Sequence, residues 1–292
     1  MALESSATSI AASSATRPAT LSPTERERLR HPLERRVTFL VAALDLMLLA
    51  TIAGLLVWGA EWLEDHTFLA NYKNHGRIFL IALLGAPVVA IYAQRRRRLL
   101  AQEEGVRVSE VQLPEIHNVL VRQCQRVGEP PPDLYVSDGV PHTTSFAWHR
   151  RNCIILSTHD FEMCPGAFDD IVDFAIAREL GSICLGHTSF GNELLRSTAA
   201  RFPFLKAPLQ TIWTYSCDRY GATLAPRAIR GLIVAATGDL LRDRVDIDAY
   251  IAQIEEGADR GFWPVVIGLL RTRVPLAHRV QELRRAGLLR KC

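Results

Sequence analysis

Apolar and polar positions divide the chain into two unlike parts. Residues 37–58 form an apolar run that only one charged residue, Asp45, interrupts, and residues 78–93 form a second, shorter run. Because about 20 apolar residues in a helix suffice to cross a bilayer, both runs are predicted to be membrane spans. From residue 106 onward the apolar positions recur at helical or alternating spacing, which is typical of a globular domain.

Basic residues around the two runs predict how the protein is oriented. Four consecutive arginines, residues 95–98, follow the second run, and five more stand between residues 26 and 36. The connecting segment, residues 59–77, holds two basic residues against three acidic ones. Since basic segments stay on the cytoplasmic side, we expect a multi-pass protein of the cell inner membrane with both termini and the main domain in the cytoplasm. A soluble helical hairpin is the alternative.

Asp45 is the one charged residue inside the first predicted span. A carboxylate in the hydrocarbon region is costly, so such a residue either serves a function or finds a partner inside the protein. We expect the second of these, a contact with the second span or its backbone.

Composition divides the chain into three regions. Residues 1–24 are rich in Ala, Ser and Thr without a hydrophobic period and are predicted to be a disordered tail. Residues 25–105 form the membrane region, and residues 106–292 form a cytoplasmic domain long enough to bury its own core. The net charge of +3 is too small to favour nucleic acid as a partner.

The main domain is predicted to mix helices with a few strands. An amphipathic helix over residues 113–127 precedes strands at 133–137, 145–148 and 153–157, the last two joined as a hairpin. Residues 189–208 are less regular. Further helices are predicted at residues 175–187 (beginning near residue 165), 209–224, 227–241, 247–256, 262–271 and 276–286. This order of elements indicates an α+β fold with a small sheet.

The six cysteines are scattered among apolar residues, and none of them forms a C-x-x-C pair. This usage is typical of reduced, buried thiols in a cytosolic domain rather than of a disulfide framework. A metal cluster built from these cysteines is the less favoured alternative.

The helix over residues 175–187 carries the most informative motif of the chain. In zinc peptidases an H-E-x-x-H helix places two His on one face to bind zinc, with the Glu between them as general base. Here Glu179 keeps the Glu position, but Arg178 and Ser182 stand where the two His belong. A protonated guanidinium has no lone pair for a metal, and a serine hydroxyl is a poor zinc ligand. The motif therefore indicates a metallopeptidase site without its metal.

Taken in order, several stretches of the chain resemble the HtpX-like membrane zinc metallopeptidases, relatives of the CAAX prenyl proteases. Two predicted spans precede a cytosolic domain, and residues 113–138 look like the family's helix and its Pro-rich entry into the first strand. The stretch SFAWHRRNCIILST looks like the family's edge hairpin, and AIARELGSICLGH looks like its zinc-binding helix. Further on, TYSCDRYGA looks like the family's E-x-x-x-D-R-x-A segment, and VPLAHRVQELRRAG looks like its C-terminal motif. The resemblance covers most of the chain from the first span to residue 286.

The resemblance implies a mostly helical, zincin-like metallopeptidase domain with a small sheet. Thr214 stands where the family has its third zinc ligand, a Glu, and Asp218 matches the Asp that supports the site. Glu179 is then a vestigial general base. An extended polypeptide could still bind by strand addition along the edge strand, which comprises Ser145, Phe146, Ala147 and Trp148.

With Arg178, Ser182 and Thr214 at all three ligand positions, no zinc cofactor is expected. We expect a catalytically inactive pseudopeptidase that binds polypeptides or scaffolds membrane-protein quality control. Its partners are then the bilayer and polypeptide or membrane-protein chains. Arg178 is hypothesised to take the place of zinc and to form a buried ion pair with Asp218.

The alternative function is that of an active zinc metalloendopeptidase with unusual ligands. Cys184, His187 and Cys217 lie near the right elements, and zinc is the cofactor in that case. The residues alone leave open whether the protein is an enzyme, and they do not indicate an oligomeric state.

Overall fold

The computed structural model describes residues 20–57, 73–140, 142–148, 151–162, 168–225 and 274–289, together with positions 246, 249, 252 and 253. Within these ranges the chain is rich in helix and contains one small sheet. The elements are α1 (Pro23–Leu29), α2 (Glu34–Val57), α3 (Lys73–Glu104), β1 (Val106–Arg107), α4 (Pro114–Val127), β2 (Asp133–Ser137), β3 (Thr144–Trp148), β4 (Arg151–Ser157), α5 (Thr158–Glu162), α6 (Phe168–Cys184), α7 (Phe190–Ala199), α8 (Pro203–Leu224) and α9 (Leu276–Arg285). The helices predicted at residues 227–241, 247–256 and 262–271 fall outside the described residues, apart from the single positions.

The sheet has the strand order β1-β2-β4-β3, with β2 and β4 parallel and the other two pairs antiparallel. The three predicted strands and the predicted hairpin of β3 and β4 are confirmed, and so is the α+β class. Thr144 pairs with Ile155 and Trp148 with Arg151, which sets the hairpin register. β3 is therefore an edge strand, and β4 is its one neighbour among the described strands.

The main core lies between the sheet and two helices that cover one of its faces. α6 presents Ile176 and Leu180 to this core, and both side chains are fully buried there. The other buried members come from β2, β4, α4, the start of α6 and the segment after β1. They are Val108, Ile116, Leu120, Cys124, Leu134, Ile154, Leu156 and Val172. This packing fixes α6, the helix that carries Arg178, Glu179 and Ser182, directly against the sheet.

The disordered tail predicted for residues 1–24 extends too far. α1 begins at Pro23 because Ser22 caps it: the Ser22 hydroxyl accepts from the Glu25 N–H at 3.2 Å, and the Glu25 carboxylate accepts from the Ser22 N–H at 2.8 Å. The backbone N–H of Leu21 also donates to the Arg126 carbonyl at 2.7 Å. The capping box was not recognised from the sequence because Ser and Thr are common throughout this segment, so Ser22 did not stand out as a helix N-cap. Residues 1–19 lie outside the described residues.

One described helix is long and apolar enough to cross a membrane. It is α2, in which Glu34–Leu55 meets this condition over 22 residues, and the first predicted span is therefore helical as expected. The second predicted span lies inside α3, whose apolar stretch Ile81–Ala93 is shorter. Large apolar side chains are exposed on both helices. They are Phe39, Leu40, Leu44, Leu46, Met47 and Leu55 on α2, and Ile78, Ile81, Val88, Val89 and Tyr92 on α3.

The segment predicted to be irregular, residues 189–208, is largely helical. α7 begins after Ser189, and α8 begins at Pro203, where a proline costs no hydrogen bond because the first helical N–H groups have no partner within the helix. α7 has only 10 residues, too few for a helical spacing of apolar residues to be recognised from the sequence. Both helices pack onto α2: Val41 shares one buried cluster with Ala199 of α7 and with Leu205 and Leu209 of α8.

The turn between α7 and α8 supplies the partner of Asp45. Arg201 Nη2 lies 3.5 Å from Asp45 Oδ1, and both side chains are almost completely buried. Arg201 Nη1 also donates to the Leu83 carbonyl of α3 at 2.9 Å. That carbonyl lacks its helical donor, because Pro87 has no N–H four residues later. The expectation that Asp45 contacts the second span or its backbone was wrong: its partner comes from a distant turn that itself binds α3.

Glycine allows α6 and α8 to approach closely. A Cβ atom on Gly181 would lie 2.5 Å from Tyr220 Cβ and 2.8 Å from Tyr220 Cγ. Gly181→Ala is therefore expected to force the helices apart and to lower the free energy of unfolding by about 1–3 kcal/mol. Thermal unfolding of the detergent-solubilised chain measures this effect.

The matched control for this substitution is Gly191→Ala in α7, where an added Cβ meets no atom within 4 Å. This change is expected to be neutral or to stabilise the helix by up to about 1 kcal/mol. Equal melting temperatures for the two variants would show that α6 and α8 are not in close contact.

Candidate functional site

The motif helix ends earlier than its sequence pattern predicted. α6 stops at Cys184, because Gly186 adopts φ +76 and turns the chain. The N–H of His187 then donates to the Ser182 carbonyl at 3.0 Å. His187 thus leaves the helix, whereas Arg178, Glu179 and Ser182 remain on it.

The predicted contact between Arg178 and Asp218 is present where α6 meets α8. Arg178 Nε lies 3.3 Å from Asp218 Oδ1, and Asp218 is 1% exposed. The Arg178 side chain, however, is 33% exposed, so only the acidic member of this pair is fully buried. Arg178 Nε makes no hydrogen bond to any described residue. The contact is therefore an ion pair without a directed hydrogen bond.

The strongest partner of Asp218 is Arg279 of α9, which the sequence reasoning missed. Arg279 Nε and Nη2 each donate to Asp218 at 2.6 Å, in the two-pronged geometry that fits a guanidinium to a carboxylate. Arg279 lies in the stretch VPLAHRVQELRRAG, which supported the family resemblance but was not predicted to contribute a residue to the site. Asp218 is thus held by α9 whether or not Arg178 contacts it.

Arg178 is a permanent cation in this site. Burial lowers the pKa of Arg178, but Asp218 and Glu179 outweigh burial and hold that pKa above its usual value. Asp160 of α5 contributes in the same direction. The position that offers a neutral imidazole in an H-E-x-x-H helix therefore offers a positive charge here.

Glu179 is tied to the edge strand. The Ser145 hydroxyl of β3 donates to Glu179 Oε2 at 2.6 Å, and both residues are buried. Ser145 pairs with Ile154 of β4, so its side chain lies on the sheet face that meets α6. The residue at the general-base position thus forms a structural link between α6 and β3. Phe146 lies on the opposite face with Cys153 and Ile155, and the side chain of Trp148 is outside the described part of the structure.

Ser182 and Thr214 lie at the same helix–helix contact. Ser182 follows Arg178 by one turn of α6, and Thr214 precedes Asp218 by one turn of α8, so each shares a face with a member of the ion pair. The three positions together offer one guanidinium and two hydroxyls, a donor set that does not fit zinc. Among the described residues no group of three His, Cys, Asp or Glu side chains is placed to hold a metal.

Two of the three alternative ligands contact each other. Cys217 Sγ lies 3.5 Å from His187 Nδ1, and His187 Nε2 lies 3.1 Å from Glu34 Oε1, with the imidazole stacked on Trp213 at 4.5 Å. These contacts form a chain and do not converge on one point. Burial raises the pKa of the Cys217 thiol. Cys184 packs against the apolar cluster that also contains Cys217, and burial raises the pKa of Cys184 to about 12.

Glu34 connects this cluster to the base of α2. It is 1% exposed and also contacts the Arg30 guanidinium and the Ser216 hydroxyl. No local pattern indicates this junction, because Glu34 stands 153 positions before His187 in the chain. The start of α2 is therefore anchored beside the motif helix.

His31, just before α2, makes the stability of this junction depend on pH. Its Nε2 lies 3.4 Å from Glu282 of α9. Burial lowers the pKa of His31 below its usual 6.5; Glu282 opposes this change and Arg219 adds to it. The folded chain therefore binds a proton at His31 less tightly than the unfolded chain does. The free energy of unfolding is then highest above about pH 6.5 and decreases as the pH falls below that value.

His31→Gln is expected to reduce the fall of the melting temperature between about pH 7 and pH 5, since the buried ionisable group is gone. The control is His159→Gln, which removes an exposed histidine of α5. The same pH dependence in wild type and His31→Gln would contradict this assignment.

Within the described residues, the fold and the site define a helix-rich α+β chain with one helix long and apolar enough to cross a membrane and with Arg178 beside the buried Asp218 where α6 meets α8. We compared the chain with protein-family models, with curated proteins and with solved structures, and none of these comparisons found a match.

Proposed function

We propose that the chain is a membrane-anchored pseudopeptidase, similar to the HtpX-like zinc metallopeptidases, that binds extended polypeptides without a metal. The observation that carries the proposal is the Arg178–Asp218 contact at the first ligand position. In a zinc peptidase an imidazole holds the metal at this position. Here a guanidinium supplies the positive charge that balances the buried Asp218 together with Arg279.

The general-base position supports the same function. A carboxylate acts as a base when it can reach a metal-bound water, and Glu179 is instead buried under the hydroxyl of Ser145. This hydrogen bond fixes the edge strand to α6. We infer that the chain has kept the substrate-binding geometry of a peptidase and has lost the hydrolytic step.

The edge position of β3 in the described sheet supports polypeptide binding. Among the described strands only β4 pairs with it, so its other side is where we propose that a polypeptide adds as a strand. Main-chain pairing needs no zinc. In this function the protein holds or presents membrane-protein segments as an adaptor or scaffold in quality control.

The membrane anchoring is proposed to be double, with α2 and the apolar part of α3 as spans and the main domain in the cytoplasm. Exposed apolar side chains follow both helices, and arginines stand at the predicted cytoplasmic end of each. The α7–α8 turn contacts Asp45 and the Leu83 carbonyl near the middle of both proposed spans, so this one turn of the main domain would enter the membrane with them.

Zinc content tests the proposed function. The detergent-purified wild-type chain and the variant Arg178→His/Ser182→His/Thr214→Glu are analysed by elemental mass spectrometry. We expect wild type to be free of zinc and the variant, whose ligands are restored, to take up about one zinc per chain. A matched control, Arg122→His on the surface of α4, is expected to take up none.

Stoichiometric zinc in wild type would contradict the proposal and favour an active metalloendopeptidase. The ligands would then be sought among Cys184, His187, Cys217 and Asp218, and a protease assay on unfolded membrane-protein segments would follow. A zinc-free wild type that cleaves such segments would contradict the pseudopeptidase function as well.

A further inference from the structure

The exposed residues between positions 190 and 210 do not have the composition of a surface that faces water. This segment comprises α7, the α7–α8 turn and the first part of α8, and none of its exposed residues has a polar or charged side chain. They are Phe190, Gly191, Leu194, Ala200, Pro203 and Phe204. Phe190 is 61% exposed and Phe204 is 49% exposed. Single exposed apolar residues are ordinary on a soluble protein, but a helical hairpin whose exposed positions are all apolar is not.

The polar side chains of the same segment are buried or half-buried. The Ser197 hydroxyl donates to the Pro87 carbonyl of α3 at 3.1 Å, and the Thr198 hydroxyl donates to a carbonyl of its own helix at 3.0 Å. Arg201 Nε donates to the Thr198 carbonyl, also at 3.0 Å. The segment therefore directs its polar groups into the protein and its apolar groups outward, which is the arrangement that a hydrocarbon environment requires.

α7 lies along α3 and runs in the opposite direction. Three contacts define this arrangement, and they pair Phe190 with Arg95, Ser197 with Pro87, and Arg201 with Leu83. Rising residue numbers of α7 thus meet falling residue numbers of α3. Since the arginines at positions 95–98 mark the proposed cytoplasmic end of the second span, α7 begins at that end and runs towards the middle of the span.

α8 returns along α2 in the same manner. From the turn onward, the successive pairs are Arg201 with Asp45, Leu205 with Val41, Trp213 with Thr38 and Ser216 with Glu34. The turn therefore lies beside the middle of the first proposed span, and α8 reaches the beginning of that span about three turns later. Both arms of the hairpin thus end on the side that the arginines assign to the cytoplasm.

The backbone of the turn makes its own hydrogen bonds. The N–H groups of Ala200, Arg201 and Phe202 donate to carbonyls of α7 at 3.1, 3.2 and 3.0 Å. Pro203, the next residue, has no N–H group. Because hydrocarbon offers no water to backbone groups, a turn that pairs its N–H groups internally is suited to that environment.

We propose that α7 and the first part of α8 form a re-entrant helical hairpin whose exposed apolar face contacts the acyl chains of the bilayer. This inference rests on the proposed membrane anchoring and extends it from the α7–α8 turn to the whole hairpin. From Phe190 to Ala200 the hairpin descends about 15 Å, or half of the hydrocarbon thickness, at the rise of an α-helix. Arg196 and Lys206 are half-buried, and their long side chains direct the charges towards the headgroups.

The hairpin brings the Arg178–Asp218 contact close to the membrane surface. Trp213 Nε1 donates to Thr38 at 3.1 Å, where the first proposed span begins. Asp218 follows Trp213 on α8, so it stands about 8 Å beyond that level at the rise of an α-helix. The main domain is therefore within reach of polypeptide segments that enter or leave the bilayer.

Nitroxide labels test the inference on the full chain in vesicles of phosphatidylcholine and phosphatidylglycerol. Phe190→Cys, Leu194→Cys and Ala200→Cys each place one label at a different level of the hairpin, and wild type labelled in parallel gives the background of the native cysteines. Leu46→Cys on α2 is the lipid-facing control, and Val111→Cys, at a position 95% exposed, is the water-facing control. Power saturation compares the accessibility of each label to oxygen, which enters hydrocarbon, and to a polar nickel chelate, which does not.

We expect the ratio of oxygen to nickel accessibility to rise from Phe190 to Leu194 to Ala200. At Ala200 the ratio is expected to match that at Leu46 and to exceed that at Val111 by about tenfold, because the polar chelate is excluded from hydrocarbon. All five positions are exposed, so the substitutions are expected to leave the melting temperature of the chain unchanged.

The outcomes separate this inference from the proposed anchoring. A label at Ala200 that is as open to nickel as the one at Val111, with Leu46 protected, would overturn the hairpin and leave the α2 span intact. Equal ratios at the three hairpin positions would place the segment flat on the membrane surface and overturn re-entry. A label at Leu46 that is open to nickel would overturn the anchoring, and the inference with it.

A second copy of the chain is the other occupant that this apolar face could accept. Labels at Leu194 would then lie close to each other across the interface. Dipolar broadening of their spectrum that disappears on dilution with unlabelled chain would overturn the contact with lipid. We expect the spectrum to be the same at both dilutions.

Discussion

Asp218→Ala is expected to lower the free energy of unfolding by about 3–5 kcal/mol, because it leaves a buried arginine without its counter-ion. Asp218 is 1% exposed and accepts both hydrogen bonds of Arg279, whose side chain is itself largely buried. Without the carboxylate, α9 loses one ion pair with α8 and keeps the one between Arg219 and Glu282. Equilibrium unfolding of the detergent-solubilised chain, followed by far-ultraviolet circular dichroism, measures the loss.

Arg178→Gln is the matched comparison for this prediction. Its partly exposed side chain makes an ion pair of 3.3 Å without a hydrogen bond, so its loss is expected to cost less than about 1 kcal/mol. The two variants together show which of the two arginines, Arg178 or Arg279, contributes more to the stability that Asp218 provides. A loss as large for Arg178→Gln as for Asp218→Ala would show that Arg178, not Arg279, is the main partner of the acid.

Arg201→Met is expected to be similarly destabilising, by about 3–5 kcal/mol, because it breaks a buried ion pair by removing one partner. Asp45 then remains as an unpaired charge, and the Leu83 carbonyl freed by Pro87 loses its donor. Methionine keeps most of the side-chain volume, so the change reports on the polar contacts rather than on a cavity.

The double variant Arg201→Met/Asp45→Leu tests this explanation. When both charges are replaced by apolar side chains, no buried charge is left unpaired, and part of the stability is expected to return. Only the Leu83 carbonyl then lacks a partner. Additive losses in the double variant would mean that Asp45 and Arg201 act independently, and the same unfolding measurement distinguishes the two cases.

The sequence pattern predicted α4 and the β3–β4 hairpin, because signals within these segments determine them. The amphipathic period of residues 113–127, together with Gly128 after it, predicted α4 to within one residue. The two strand-forming stretches on either side of residues 149–152 predicted the β3–β4 hairpin, and the register places Ser145 and Trp148 on the expected edge strand. Each of these elements carries its own start or stop signal within a few residues.

The contacts that complete the site come from distant parts of the chain. Arg279 reaches Asp218 across 61 positions, and Arg201 reaches Leu83 across 118. No local period encodes such pairings, since only the packing of α9 on α8 and of the α7–α8 turn on α3 brings these residues together. The end of α6 was missed for a different reason: the apolar pattern continues through Leu185, but the positive φ of Gly186 ends the helix.

The Arg178–Asp218 contact was the one part of the site that a substitution pattern could predict. An arginine at a ligand position, combined with an acid at a supporting position, leaves a buried negative charge that needs a counter-ion. The degree of burial could not be predicted in this way. Arg279 donates two hydrogen bonds to Asp218 and so neutralises most of its buried charge. Arg178 is therefore not required to be fully buried against the acid, and its side chain is partly exposed.

Pro87 affects when the α2–α3 pair can complete its contacts during translation. When α3 leaves the ribosome, its Leu83 carbonyl has no internal donor, and the arginine that binds it is synthesised 118 residues later. The α2–α3 pair is therefore incomplete until translation has passed the α7–α8 turn. A nascent chain that stops before residue 201 exposes an open helix backbone and an unpaired Asp45, two features by which unfinished copies differ from finished ones.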